Sequence, residues 1–259
     1  MDLQLNNRLA LVSGSTAGIG YAIAEALLKE GARVIVNGRG REAVDAAVAR
    51  LGPGAIGFAG DLSLADVAEA VVREHPDIDI LVNNLGIFEP RAFEDIPDED
   101  WRRFFDVNVL SGARLSRLVL PGMKRRNWGR IIFISSESGV QIPAEMVHYG
   151  MTKSAQIAIA RGIAESVAGT GITVNSVLPG PTRSRGVEDF VQALASDAGQ
   201  TFEQFERAFF ETVRPTSLIK RFATPEEVAA LVTYVASPLA SATTGAALRV
   251  DGGTVKSAF

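Results

Sequence analysis

Tyr149 and Lys153 stand four positions apart at the head of a stretch, Gln156-Ile-Ala-Ile-Ala-Arg-Gly-Ile-Ala-Glu165, that reads as helix. On a helix, positions i and i+4 share a face, with Cβ atoms about 5–6 Å apart. An ammonium held that close to a phenol favours the phenolate and draws down a pKa that is about 10 when unperturbed. A phenol tuned in this way can serve as a general acid or base at neutral pH. Ser136 follows the apolar run Arg130-Ile-Ile-Phe-Ile-Ser135, which reads as a buried parallel strand. Ligands in open α/β sheets lie beyond the carboxyl ends of strands, where Ser136 falls. Strand alternation sends neighbouring side chains to opposite faces, which sets Ser136 against Ser135 and turns Glu137 away from any cleft. A bare Tyr-x-x-x-Lys is more often an ordinary surface pair on an amphipathic helix, so its weight comes from its company.

The elements that must carry these residues follow one pattern. Arg8-Leu-Ala-Leu-Val-Ser13 is a short apolar strand running into Gly14-Ser15-Thr-Ala-Gly18-Ile19-Gly20. An alanine-rich helix over Tyr21–Glu30 follows, stopped by Gly31, and then a strand over Ala32–Asn37. In such a βαβ unit Gly14 permits the tight turn, Gly18 lets backbone approach a pyrophosphate, and Gly20 lets helix pack on strand. Helix Glu42–Leu51, strand Ala55–Ala59, helix Leu64–Glu74 and strand Ile78–Val82 continue the alternation. A helical region over 97–126 precedes the strand before Ser136. Strand Ile172–Val177, helix Pro225–Ala236 and strand Gly245–Val250 complete the series. Alternating β and α with apolar strands predicts an α/β protein, a doubly wound parallel sheet of about seven strands with helices on both faces. No linker divides the chain, so residues 1–259 read as one domain.

Dinucleotide sites for NAD place a carboxylate about 20 residues past the glycines, on the ribose 2′-hydroxyl. Here the second strand ends Asn37-Gly38-Arg39, with glycine where the acid would stand and a guanidinium suited to a 2′-phosphate. The missing acid and the present base favour NADP(H). NAD(H) is the alternative, with Arg39 then a solvated turn residue.

Composition removes other classes. Of 259 residues, 47% are hydrophobic and 22% charged, which is globular, and a net charge of −4 offers no basic field for nucleic acid. There is no cysteine, and the histidines are His75 and His148, so a metal site is not expected. His148, next to Tyr149, is expected at the pocket rim or the surface, because adjacent helical residues point about 100° apart. The N-terminal residues lack an apolar signal core and no apolar run reaches 18 residues, so the expectation is a cytoplasmic protein without a membrane span.

From about Arg8 to Gly253 the chain resembles the short-chain dehydrogenase/reductase family, in members resembling 3-oxoacyl-carrier-protein reductases. Ser13-Gly14-x-x-x-Gly18-Ile19-Gly20 resembles its cofactor turn, with Ser13 for the usual threonine. Asn83-Asn84-Leu85-Gly86 is similar to its Asn-Asn-Ala-Gly element, Asp61 to the aspartate that meets the adenine, and Pro179-Gly180 with Thr182 to the nicotinamide loop. Asn108, Ser136, Tyr149 and Lys153 match its catalytic set, including the spacing of 13 from serine to tyrosine. The resemblance implies a Rossmann-type fold and hydride transfer between a nicotinamide and a small carbonyl or secondary alcohol. Tyr149 would then be the proton donor, with Lys153 lowering its pKa and bonding the nicotinamide ribose. Ser136 would hold the substrate oxygen, and Asn108 a water that links Lys153 to solvent. It implies cofactor contacts from Ser13, Gly14, Ser15, Gly18, Ile19, Gly20, Asn37, Gly38, Arg39, Asp61, Leu62, Asn84, Gly86, Pro179, Gly180 and Thr182, besides Tyr149 and Lys153. It also implies a homodimer or homotetramer.

The stretch from about 183 to 220 is expected to form a helical lid over the active-site mouth. Phe202, Phe205 and Phe209 recur there at helical spacing, with Phe190 and Phe210 near them; such a stripe reads first as core, and over a cleft as the lining of an apolar substrate pocket. The rivals are an NAD-dependent alcohol dehydrogenase working oxidatively and a non-catalytic dinucleotide-binding regulator on the same fold.

Overall fold

Seven runs rich in Val, Ile, Leu and Ala form the strands β1 (Leu9–Val12), β2 (Arg33–Gly38), β3 (Ala55–Ala59), β4 (Ile80–Asn83), β5 (Gly129–Ile134), β6 (Ile172–Pro179) and β7 (Ala247–Val250). In the computed structural model, which describes residues 2–183 and 201–258, they make one parallel sheet in the order β3-β2-β1-β4-β5-β6-β7. Pairing register runs from Leu11 opposite Ile35 on one side to Leu11 opposite Leu81 on the other, and from Ile132 to Asn175. β1, β4, β5 and β6 are buried along their whole length, which is why they lack the polar alternation of a half-exposed strand.

Alternation still decides which layer each side chain joins. Ala10, Val12, Val34, Val36 and Ile132 face the helices α1 (Gly18–Lys29) and α2 (Arg41–Leu51) and, further along the chain, α8 (Pro225–Ala236). Leu9, Leu11, Ile35, Ile131 and Phe133 face α3 (Ala65–Glu74), α5 (Ser111–Arg126) and α6 (Val147–Ser166). A fully buried Leu or Ile contributes about 1.5–3 kcal/mol, so these two layers carry most of the stability.

The helical region over 97–126 is built in three parts: α4 (Asp98–Phe105), a π-helical turn (Asp106–Leu110) and α5. The wider π turn falls on Asn108 and brings it against α6, a placement that an uninterrupted helix would rotate by about a quarter of a turn. α1 begins at Gly18, three residues earlier than the alanine-rich run suggests, so its first turn belongs to the glycine loop. The described part of the segment over the mouth holds α7 (Phe202–Thr212), opened by a reciprocal Thr201–Gln204 capping box. Phe190 and Arg185 lie outside the described residues. No helix among the described residues is long and apolar enough to cross a membrane.

Candidate active site

The sheet order reverses between β1 and β4, and the loops that leave these two strands open a crevice at their carboxyl ends. Gly14 and Gly18 there hold φ of +61° and +58°, the left-handed region that glycine enters without strain. A Cβ on Gly20 would lie 2.5 Å from both Asn84 Nδ2 and the Gly14 carbonyl, so only glycine lets α1 start this close to β1. The first turn of α1 has no side-chain cap and no acid, which leaves its N–H groups and positive dipole end for an anion such as a pyrophosphate.

Several residues expected at the cofactor hold this turn together through their side chains. Asn37 accepts from Gly14 N at 3.2 Å and donates to the carbonyls of Phe58 and Gly60 at 3.2 and 3.0 Å. Ser13 Oγ accepts from the amides of Asn84 and Leu85, Ser15 Oγ donates to Val12 O and accepts from Asn37 N, and Asn84 Nδ2 donates to Ser13 O and Gly14 O. The Leu62 side chain is fully buried in the core. Asp61 Oδ1 accepts from Ser63 N and Oγ, and Thr182 Oγ1 donates to Gly180 O. Ile19, Gly86, Pro179, Gly180 and Thr182 line the cleft with the catalytic set. Gly38 is half-buried and Arg39 exposed at the end of β2.

At the other end of the crevice Ser136, Tyr149 and Lys153 converge. Ser136 accepts from Ser138 N at 3.1 Å, and its hydroxyl beside the Tyr149 phenol draws the phenol's pKa down. Ser135 Oγ points instead to the Lys153 carbonyl, at 2.8 Å. Gly139 makes this fit possible: a Cβ there would meet the Lys153 carbonyl carbon at 2.8 Å. Lys153 Nζ lies 5.5 Å from the centre of the Tyr149 ring and donates to Ile134 O at 2.9 Å and Gln156 Oε1 at 3.3 Å. Burial pushes the Tyr149 phenol up to about 12, further than Ser136 and Arg214 pull it down, while burial alone draws Lys153 down to about 8. The expected lowering of the phenol by Lys153 is therefore corrected: desolvation outweighs the cation, which faces Ile134 and Gln156.

Two more expectations change, for Glu137 and His148. Glu137 does not face away, because β5 ends at Ile134 and a 3-10 turn over Glu137–Gly139 breaks the alternation. It is 3% exposed, lines the cleft and pairs with Arg214 Nε at 3.1 Å, while Arg214 Nη1 reaches Glu145 at 3.1 Å. His148 is fully buried, with its ring centre 4.0 Å from that of Phe104 and no hydrogen-bond partner at either nitrogen, so burial lowers its pKa. Asn108 is fully buried too: Oδ1 accepts from Ile87 N, Nδ2 donates to Ile87 O and Thr152 Oγ1, and its carbonyl accepts from Gln156 Nε2 at 2.6 Å. The Asn108 main-chain carbonyl thus serves a protein amide. Gln156, Glu137 and Arg214 were missed as site residues; a lone polar residue at helical spacing from Lys153 was the one signal available for the first, and none existed for the long-range pair.

The cleft above Tyr149 has a volume of about 530 Å³ and is walled by Phe88, Phe205, Phe209 and Phe222. Phe205 and Phe209 face the cleft, while Phe210 packs at 2% exposure against Phe222. No group of three or more potential metal ligands occurs among the described residues.

A parallel sheet with a glycine turn at its switch point and a Ser-Tyr-Lys set across the crevice defines a dinucleotide-dependent oxidoreductase. The family model described as enoyl-(acyl carrier protein) reductase matches residues 14–255, and the chain belongs to the short-chain dehydrogenase/reductase family. It is 51% identical to the uncharacterized oxidoreductase YvrD of Bacillus subtilis (strain 168), over 99% of this chain and 100% of that one. It is 38% identical to the D-beta-hydroxybutyrate dehydrogenase of Cupriavidus necator, over 97% and 99%. The structure of L-sorbose reductase from Gluconobacter frateurii, complexed with NADPH and L-sorbose, superposes with a TM-score of 0.94 at 30% identity, covering 99% of this chain and all of the other. The chain is an oxidoreductase acting on CH–OH and C=O groups with a nicotinamide dinucleotide.

Proposed function

We propose that this chain is an NADP(H)-dependent reductase of apolar carbonyl compounds, able to run in reverse on secondary alcohols, with Tyr149 as general acid and base. The observation that carries the reading is the cleft: the Tyr149 phenol and Ser136 together at the foot of about 530 Å³ of phenylalanine-walled space. When bound, the nicotinamide supplies or accepts the hydride. The Ser136 hydroxyl holds the substrate oxygen and stabilises its developing charge, and Tyr149 delivers the proton to it. A phenol pushed up to about 12 keeps its proton through the neutral range, which suits the reductive direction. The aromatic walls exclude water and favour a carbonyl with alkyl or aryl flanks.

The end of β2 supports NADP(H). Arg39 is exposed there, and a Cβ on Gly38 would lie 2.5 Å from Thr16 Cγ2, so no carboxylate fits where an NAD site would carry one. The test is a fluorescence titration with NADPH and with NADH, followed by turnover of a neutral ketone. Tighter NADPH binding, weakened about tenfold or more by Arg39→Ala, is expected. Tyr149→Phe is expected to cut turnover by about 10²–10⁴ while the cofactor Kd stays within about twofold. Equal or tighter NADH binding refutes the cofactor assignment, and retained turnover in Tyr149→Phe refutes the mechanism.

A further inference from the structure

Gln156 lies one helical turn beyond Lys153 on α6, is 1% exposed, and spans two groups of the active site. Its Oε1 accepts from Lys153 Nζ at 3.3 Å and its Nε2 donates to the Asn108 main-chain carbonyl at 2.6 Å. The amide can face only this way: reversed, its oxygen would meet a carbonyl oxygen and its NH₂ an ammonium. We propose that Gln156 is a positioning residue, a buried amide strap that sets the direction and ionisation of Lys153 and ties it to the Asn108 turn. The consequence for turnover rests on Tyr149 acting as proposed above and on a charged Lys153 stabilising its phenolate; the strap itself does not.

An ammonium has three N–H donors. Ile134 O takes one and Gln156 Oε1 a second, which leaves one for the cleft that Lys153 lines beside Tyr149. The acceptor at Gln156 favours the charged amine against the desolvation that draws it down. Glu137 and Arg214 act on Tyr149 but not on Lys153, whose ionisation answers to burial and to the groups it touches. The far end of the strap is equally fixed, because the Asn108 side chain is held by Ile87 and Thr152 and the π turn is packed on α6. Lys153 and the Asn108 turn are therefore joined mechanically through one amide.

The test follows Lys153 in the protein without cofactor, by NMR titration of the ¹³C-labelled lysine ε-methylene, assigned with Lys153→Met. Gln156→Glu puts a carboxylate at the amide oxygen, and Gln156→Leu removes both polar ends. From a wild-type midpoint of about 8, the Lys153 midpoint is expected to rise by about one pH unit or more in Gln156→Glu and to fall by a similar amount in Gln156→Leu. The pH profile of carbonyl reduction is expected to move the same way, while KM for the carbonyl changes less than about threefold. Midpoints within about 0.3 unit of wild type in both variants would overturn the strap. If Gln156→Leu fails to fold, Gln156→Glu, of nearly the same shape, decides alone. Shifted midpoints with an unmoved turnover profile leave the strap standing and refute the catalytic role of Lys153.

Discussion

Tyr149 and Lys153 are displaced in opposite directions, the phenol up to about 12 and the amine down to about 8, and burial is the leading cause in both. Between those values the phenol keeps its proton while the amine has lost its charge. A neutral Lys153 no longer opposes the negative charge that develops on the substrate oxygen and then on Tyr149. Carbonyl reduction is therefore expected to be level near neutrality and to fall about tenfold per pH unit above about 8, read as kcat/KM in a pH series. A profile that stays level through pH 10 would contradict this. Ser136, Tyr149 and Lys153 were legible in the sequence because their relation is local, one strand end and one helix face. His148 and Glu137 were misread from equally local rules: the first is carried inward against Phe104 by its helix, and the second sits where the strand has already ended.

At the scale of elements, Arg214, just past the end of α7, ties the segment over the mouth to the serine loop. Arg214 and Glu137 are 10% and 5% exposed at their side chains, and Oε2 of Glu137 has no hydrogen-bond partner. Removing one partner of such a buried pair costs about 3–5 kcal/mol, because the other charge is left uncompensated. Burial already raises the Glu137 pKa, so the native state binds a proton more readily than the unfolded chain, and stability from this group falls as pH rises. Arg214→Met removes the opposing cation and deepens that dependence. Its deficit against wild type in thermal melts should be largest near pH 8 and shrink as acid protonates Glu137; a deficit independent of pH would sink the pairing argument. On α7 itself, Phe205→Ala should raise KM for an apolar ketone about tenfold with kcat little changed, since roughly 1–3 kcal/mol of apolar contact is lost equally from ground and transition states. An unchanged KM for every carbonyl tested would return Phe205 to a purely structural part.

Over the whole molecule, the reversal of strand order between β1 and β4 puts the glycine turn and the Asn84–Gly86 loop side by side and leaves Ser136, Tyr149 and Lys153 just past the end of β5 and at the start of α6. Phe93 and Phe105 stand 62% and 44% exposed around α4, and Tyr234 and Leu239 41% each near the end of α8. Exposed apolar side chains of this size at α4 and α8 fit contacts between copies of the chain. Light scattering is expected to read two or four times the 27.5 kDa chain mass, and a monomer at micromolar concentration would contradict it. The βα alternation, the glycine turn and the order of Ser136, Tyr149 and Lys153 were determined by the sequence alone, because period, turn chemistry and helical spacing act over a few residues. Only the tertiary structure decided that Asn37 and Ser15 hold the turn, that Glu137 meets Arg214 across 77 positions, and that Gln156 bridges Lys153 and Asn108. Those contacts join elements distant in sequence, and whether a polar group is desolvated or partnered depends on what packing brings to it.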